Sequence, residues 1–290
     1  MLNKVKWRLK LIKDKIFLKE PYVQWSSLLN DILSKHLEIS INLVIEEYDY
    51  RFVIVRFPDD SKLFWPKNFN IKTLEYTFVE LNTENPHNYF QFYQPDKNDI
   101  VFDVGACEGL FSYKIKDKVS KIFIFEPIQN LVGALKLTFK YEIEMDKVKI
   151  FNFGLGNENI DKLEFYINTE VIGVSSFSNR KNIDQSKIEK IVSSIKTLDS
   201  FIDENENISK IDLIKVDIEG FEMAFLNGAT KTIEKYWPKF LICSYHKPDD
   251  YLNLKQYFKY FDYKIKHSKA IRFLDGGTPT YRYTLVYAYK

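Results

Sequence analysis

The stretch Asp99-Ile-Val-Phe-Asp-Val-Gly-Ala-Cys-Glu-Gly-Leu-Phe111 decides the fold. An apolar run from Ile100 to Val104, carrying a single carboxylate at Asp103, stops at Gly105, and Gly109 follows four residues later. A short β-rich run that meets a glycine turn and then apolar helical residues reads as the first half of a strand–turn–helix unit. In an open parallel sheet, ligands bind beyond the carboxyl ends of the strands, where such a turn leads into a helix. Gly105 and Gly109 let the backbone approach a flat, polar ligand, and the helix start that follows offers free N–H groups.

Outward from this stretch the same alternation continues. Lys121 to Phe125, Val148 to Phe153, Ile211 to Val216 and Phe240 to Ser244 are short β-rich runs, and Asn130 to Tyr141 and Phe221 to Glu234 are helical stretches between some of them. Strands alternating with helices predict an α/β fold whose doubly wound, mostly parallel sheet is covered on both faces. Tyr281 to Tyr289 reads as a last strand. Residues 1–98 differ in character. A helical stretch after Pro21 is followed by strand-like Ile41 to Tyr48 and Arg51 to Phe57, a turn at Pro58-Asp-Asp-Ser61, and Lys62 to Trp65. They read as a small N-terminal α+β extension, a candidate acceptor or partner region, ahead of a domain spanning 99–290.

With 42 basic against 40 acidic residues the formal charge is +2, which favours neither nucleic acid nor an acidic polymer as partner. Basic residues are concentrated in the first 19, where Lys4, Lys6, Arg8, Lys10, Lys13, Lys15 and Lys19 face a single acid, Asp14. Interleaved with Val5, Trp7, Leu9, Ile12, Ile16 and Phe17, they read as an imperfect amphipathic helix. It is a solvated helix packed on the body or, alternatively, a docking helix for a membrane surface or glycan-assembly partner. Two distant cysteines, Cys107 and Cys243, without CxxC or CxxH spacing argue against a zinc site and a disulfide framework. The expected location is a reduced cytoplasm, with peripheral membrane association as the variant. No run approaches the roughly 18 to 20 apolar residues that span a bilayer, and no signal-peptide pattern opens the chain.

The run Phe125-Glu126-Pro127 places an acid about 20 residues after the glycine turn, where a carboxylate grips ribose hydroxyls. The dinucleotide fingerprint G-x-G-x-x-G lacks its first glycine here, and Asp103 stands two residues ahead of Gly105. A carboxylate there would repel a pyrophosphate but could hold the amine of an amino-acid-bearing nucleoside. The residues therefore prefer S-adenosyl-L-methionine to NAD.

A second constellation is Ile211-Asp-Leu-Ile-Lys-Val-Asp217-Ile-Glu219-Gly-Phe-Glu222, a strand ending in three carboxylates around one glycine. The strand after the topological switch lies beside the first, so these acids should face the ligand crevice. Against this, Glu222 could simply cap the next helix, and Asp217 could be an ordinary strand-end acid. Cys243-Ser-Tyr-His246-Lys-Pro-Asp-Asp250 follows the next strand and puts His246 at the same edge, a candidate general base for a hydroxyl nucleophile. His36, His87 and His267 lack such placement and read as surface or structural residues.

Taken in order, Val-Phe-Asp-Val-Gly-Ala-x-x-Gly, Phe-Glu-Pro, Thr197-Leu-Asp-Ser-Phe201, Ile-Lys-Val-Asp-Ile-Glu-Gly-x-Glu and Ser-Tyr-His-Lys-Pro resemble the FkbM family of class I S-adenosylmethionine-dependent methyltransferases. The resemblance covers Asp99 to Tyr289, about two thirds of the chain. It implies a Rossmann-like seven-stranded sheet and a cofactor site formed by Asp103, Gly105, Ala106 and Gly109, with Glu126 and Pro127 at the ribose. It also implies that Gly154 in the Gly154-Leu-Gly-Asn157 turn lies near the adenine and that Asp217, Glu219 and Glu222 border cofactor and acceptor. Gly173-Val-Ser-Ser-Phe177 resembles the family's serine-containing loop. After Gly-Ala the family usually has Asn, whereas this chain has Cys107, which lacks the amide's donor and acceptor pair.

The implied activity is O-methylation of a saccharide or other hydroxyl-bearing acceptor in a glycan pathway. His246, Glu219 or Glu222 would take the hydroxyl proton. No HExxH, aspartate cage or cysteine cluster demands a metal. A nicotinamide-dependent sugar oxidoreductase would share the ribose-binding acid, and a non-catalytic scaffold would keep the cofactor fold.

Overall fold

The computed structural model describes residues 41–82, 84–170, 172, 175, 188–275 and 278–290. The basic helix over Met1–Lys19, the helical stretch after Pro21, and Gly173, Val174, Ser176 and Phe177 lie outside the described residues.

An antiparallel sheet of β1 (Val44–Glu47), β2 (Phe52–Arg56) and β3 (Lys62–Pro66) comes first. Asp49 shapes its first turn by accepting the Arg51 and Phe52 N–H groups at 2.7 and 2.8 Å. Helix α1 (Lys72–Asn82) and a 3-10 turn at Tyr89–Gln91 lead into the main sheet. That sheet is entered through β4 (Ile100–Val104), α2 (Leu110–Ile115), β5 (Lys121–Phe125), α3 (Gln129–Thr138), α4 (Lys140–Glu144) and β6 (Val148–Phe151).

A side sheet of β7 (Gly154–Leu155), β8 (Ile160–Asn168) and β9 (Ile188–Lys196) interrupts the alternation. The alternation resumes with α5 (Leu198–Asp203), β10 (Leu213–Val216), α6 (Glu222–Asn227), α7 (Thr230–Tyr236), β11 (Lys239–Cys243), α8 (Asp250–Tyr260) and β12 (Lys264–His267). A hairpin of β13 (Ala270–Asp275) and β14 (Thr278–Tyr283) precedes β15 (Leu285–Tyr289).

The main sheet has seven strands in the order β12-β15-β11-β10-β4-β5-β6. Only β15 runs antiparallel to its neighbours. The chain leaves β4 towards one edge and returns at β10 on β4's other side, so the topological switch lies between these two strands, the Rossmann-like arrangement expected. Period-two alternation sorts their side chains. Val101, Ile122, Ile124, Leu213 and Leu241 face one core, while Phe102, Val104, Phe123, Ile214 and Phe240 face the other. The first core is closed by Val53, Leu63, Trp65, Leu74 and Phe78 together with Leu131 and Leu135, so β2, β3, α1 and α3 share one apolar layer. The second is closed by Phe201, Phe225, Ile233, Leu254 and Phe258 from α5 to α8.

Three expected elements are divided. The stretch Phe221 to Glu234 breaks at Gly228, where a Cβ would stand 2.0 Å from the Gly156 carbonyl oxygen. Asn130 to Tyr141 breaks at Phe139, a wholly buried ring between α3 and α4. Tyr281 to Tyr289 breaks at Thr284, whose N–H and hydroxyl turn to Ser268 and so move the chain from the hairpin into the main sheet. The Thr197-Leu-Asp-Ser-Phe201 segment joins two helices. Thr197 caps α5 through Ser200 N at 3.0 Å, and Asp199 accepts the N–H groups of Lys231 and Thr232 at the start of α7.

Candidate active site

The loops after β4 and β10 leave the sheet side by side, since Val104 is in register with Val216. Gly105, at φ +77°, is what lets them touch: a Cβ there would lie 2.0 Å from the Asp217 carbonyl oxygen. One turn on, Gly109 faces α3 rather than the ligand edge, with its Cβ position 2.4 Å from Leu135 Cδ2. Its role is to press the turn onto the helix layer.

Beyond Gly105 lies a pocket walled by Ile128, Leu131, Leu155 and Phe221, with Gly154 and Pro127 at its margin and Glu126 as a buried acid. The Glu126 carboxylate accepts the Cys107 N–H at 3.0 Å on one oxygen and the Ile128 N–H at 2.9 Å on the other. Burial pushes its pKa up to about 7. Cys107 sits at φ +50°, a left-handed conformation that Asn tolerates better than Cys. Its backbone, not its side chain, ties the glycine turn to Glu126, so the bond survives the exchange of Asn for Cys.

Asp103 does not reach this pocket. It is wholly buried one layer below, facing Lys215 across the β4–β10 ladder. The Lys215 ammonium stands 3.0 Å from Asp103 Oδ1 and donates to the Gly105 carbonyl, and Ser112 donates to Asp103 Oδ2 at 2.6 Å. Burial disfavours the ammonium, but Asp103 and Asp217 outweigh it and raise the Lys215 pKa. The expectation that Asp103 holds the amine of a bound nucleoside is therefore corrected: its charge is spent on Lys215, which supports the glycine turn from beneath. Ala106 is also displaced from its expected role, because it lines the neighbouring cleft instead.

That second cleft opens beside the pocket and is bordered by Lys72, Glu80, His87, Tyr89, Tyr245 and Arg282. Gly105, Cys107, Asp217 and Glu219 border both cavities. Beside this shared wall His246 also borders the cleft, its side chain 2% exposed. Its Nδ1 is 2.8 Å from Glu222 Oε1, and its Nε2 is 3.3 Å from Glu219 Oε1 and 3.4 Å from Asp217 Oδ1. Glu222 Oε1 also accepts the N–H groups of Ile218 and Gly220, both at 3.2 Å, which holds the left-handed Glu219-Gly220 pair in place.

Burial opposes charge on His246, but Glu219 and Glu222 overcome it and raise its pKa well above the usual imidazole range. Burial likewise opposes charge on Asp217, yet His246, Lys215 and His87 hold it at about 2. The flanking carboxylates thus favour the imidazolium of His246, against its expected role as general base. Glu222, 1% exposed and behind His246, is an anchor rather than a catalytic group. Glu219 is the one of the three expected catalytic residues that borders both cavities.

Sequence reasoning missed Lys215, Tyr89, His87 and Glu108. Lys215 had a signal, a lysine in the middle of an apolar strand opposite an equally misplaced aspartate. Tyr89 donates to Asp217 Oδ2 at 3.0 Å, and His87, read as surface or structural, is buried with its Nε2 3.8 Å from the same oxygen. They come from the irregular loop before Phe90, where no periodicity marks them. Glu108 is buried beside the glycine turn, and burial pushes its pKa up to about 7.

Residues 103–265, more than half the chain, match the family described as Methyltransferase FkbM domain. The chain belongs to the FkbM methyltransferase family. It is 30% identical to Methyltransferase 1 of Beauveria bassiana (strain ARSEF 2860), over 46% of this chain and 59% of that protein. Among solved structures it is similar to an FkbM methyltransferase from Methylobacillus flagellatus KT, at 20% identity and a TM-score of 0.47, over 76% of this chain and 55% of that one. It is also similar to TrmK of M. capricolum, solved with S-adenosyl-homocysteine, at 13% identity and a TM-score of 0.38, over 68% of this chain and 64% of that one. The chain thus spans less than two thirds of the length of each of these relatives, and its strand order carries the fold.

The family's methyl donor is S-adenosyl-L-methionine, and the pocket fits it. The Gly105 cradle would be filled by any Cβ, the walls are apolar, and Glu126 is a carboxylate with one backbone donor on each oxygen, leaving lone pairs for ribose hydroxyls. Among the described residues no helix is long and apolar enough to cross a membrane.

Proposed function

We propose that this FkbM-family chain transfers a methyl group from S-adenosyl-L-methionine to a hydroxyl of a saccharide or similar hydroxyl-bearing acceptor. The observation that carries the reading is the shared wall: an apolar pocket with a ribose-type acid and a larger cleft with charged and aromatic residues at its border meet at Gly105, Cys107, Asp217 and Glu219. Tyr76, Tyr89 and Tyr245 line the cleft together with Lys72, Glu80 and Arg282. Such a lining offers flat apolar surface and many hydrogen-bonding groups, which suits a polyhydroxylated ligand.

S-adenosyl-L-methionine, when bound, supplies an electrophilic methyl group on a sulfonium sulfur. Glu126 would hold its ribose hydroxyls, Gly105 would admit its close approach, and Ile128, Leu131, Leu155 and Phe221 would cover its uncharged parts. At the shared wall, Glu219 accepts the acceptor's hydroxyl proton. Asp217, kept ionised by its cationic neighbours, accepts a hydrogen bond and fixes the oxygen's direction. His246 keeps the two carboxylates apart and charged. Most of the rate gain would come from this positioning.

Acceptor selection falls largely to residues 1–98, since α1, His87 and Tyr89 line the cleft. Membrane or partner docking through Met1–Lys19 in a cytoplasmic setting is the companion proposal; deleting those residues should abolish liposome association and spare cofactor binding.

Calorimetric titration with S-adenosyl-homocysteine and with NAD tests the cofactor class, and radiolabelled methyl transfer to a panel of nucleotide sugars and glycans tests the acceptor. Saturable binding of the homocysteine nucleoside and none of NAD is expected; the reverse pattern overturns the reading.

A further inference from the structure

His246 enters the site from the end of β11 with both ring nitrogens facing carboxylates. Glu222 Oε1 at 2.8 Å engages Nδ1 and thereby aims Nε2 between Asp217 Oδ1 and Glu219 Oε1, at 3.4 and 3.3 Å. A charge-assisted N–H to carboxylate bond measures about 2.7 to 2.9 Å, so both separations are stretched beyond that. Among the described residues, His246 Nε2 and Asp217 Oδ1 are buried polar atoms without a hydrogen-bond partner. A single proton on Nε2 points along one line and cannot satisfy two acceptors set apart in this way.

We propose that Asp217, Glu219 and His246 form a divalent-cation site, with Oδ1, Oε1 and Nε2 as ligands and an ion of the Mn²⁺ type as occupant. Two ligands each about 2.1 Å from a metal, at an angle of 90 to 110°, stand about 3.0 to 3.5 Å apart, which includes both measured separations. The three ligand atoms lie within 4.8 Å of one another. Glu222 on Nδ1 is the carboxylate that orients a metal-binding imidazole, and Tyr89 donates to Asp217 Oδ2, which leaves Oδ1 for the ion. One imidazole nitrogen with two carboxylate oxygens suits a hard to borderline ion rather than a thiophilic one.

Binding exchanges one cation for the proton on Nε2. Because Asp217, Glu219 and His246 all border the cleft, the ion's remaining positions would face the acceptor side, where it would polarise a bound hydroxyl and so ease transfer of its proton to the Glu219 carboxylate. That consequence rests on the proposed function; the site itself does not.

The test is titration of the full chain, stripped with chelator, with MnCl₂ alone, followed by calorimetry and by loss of the free Mn²⁺ electron-paramagnetic signal. One ion per chain is expected for the wild type. Asp217→Asn and His246→Ala should abolish it, and Glu222→Gln should weaken it by about 10- to 100-fold. Circular dichroism and S-adenosyl-homocysteine titration on each protein report folding and cofactor binding independently. Wild type that binds the homocysteine nucleoside but takes up no Mn²⁺ at millimolar concentration overturns the cation site and leaves the methyltransferase reading standing. Uptake undiminished in a folded Asp217→Asn or His246→Ala protein overturns it equally.

Discussion

The two sides of the shared wall are built by opposite means. On the cofactor side the polar contacts come from one short length of chain, Gly105 to Ile128: a glycine removes a side chain, and backbone N–H groups anchor one acid. On the acceptor side, charges from three separate segments cancel one another: His87 and Tyr89, Lys215 to Glu222, and His246. The first side depends on backbone shape and the second on charge balance. They should therefore fail differently when mutated, by lost affinity on one side and by uncompensated buried charge on the other.

The pair beneath the wall offers the largest test. Asp103→Ala leaves Lys215 buried without its partner and should cost about 3 to 5 kcal/mol in denaturant unfolding. The double variant Asp103→Leu with Lys215→Met should recover most of that loss, since a packed apolar pair replaces a buried ionic one. An Asp103→Ala protein of native stability that no longer binds S-adenosyl-homocysteine would restore the sequence-based role of Asp103 as a cofactor ligand.

On the wall itself, Glu219→Gln should lower methyl transfer by about 100-fold or more while S-adenosyl-homocysteine affinity stays within about threefold. A matched loss of affinity would place Glu219 on the cofactor side and erase the distinction between the two.

Next in size is a pH effect confined to the cofactor side. Glu126 titrates at about 7 when folded against an ordinary value of 4.5, so the folded chain keeps a proton that the unfolded chain releases. Its contribution to stability therefore declines as pH rises from 4.5 towards 7 and changes no further above that. Ribose hydroxyls donate to the ionised form, so S-adenosyl-homocysteine affinity should rise with pH up to about 7 and level off, with up to about tenfold lost per unit below. Glu126→Gln should flatten that slope; an unchanged slope would point to Glu108 instead.

The smallest effect belongs to Cys107→Asn. Relief of the left-handed backbone should stabilise the chain by about 0.5 to 1 kcal/mol, read as a rise in melting temperature. Affinity for S-adenosyl-homocysteine should change little, because the bond to Glu126 comes from the backbone.

Much of this was legible beforehand. Ile100–Val104 and Lys121–Phe125 begin and end where the pattern places them, because central parallel strands are apolar on both faces and stop sharply at their turns. The β8–β9 pair was not read. The first half of β8 is exposed at Asp161, Lys162 and Glu164, so no continuous apolar signal marks it. The acids at 217, 219 and 222 were seen as a group, but their division of labour was not. Spacing says that three carboxylates share a strand end; it does not say that one is buried behind an imidazole and another bonded to a tyrosine.

The sequence by itself determined the strand-and-helix alternation, the glycine turn with the acid that follows it, and the sheet edge at which Asp217, Glu219, Glu222 and His246 collect, because these depend on local periodicity and on backbone conformations that few residues can adopt. Tertiary structure alone decided which charges are free. Asp103 and Lys215 are 112 positions apart, and His246 lies 24 positions from Glu222. Whether such groups neutralise each other depends on a few ångströms of separation in a medium that water does not screen, and no pattern along the chain encodes that distance.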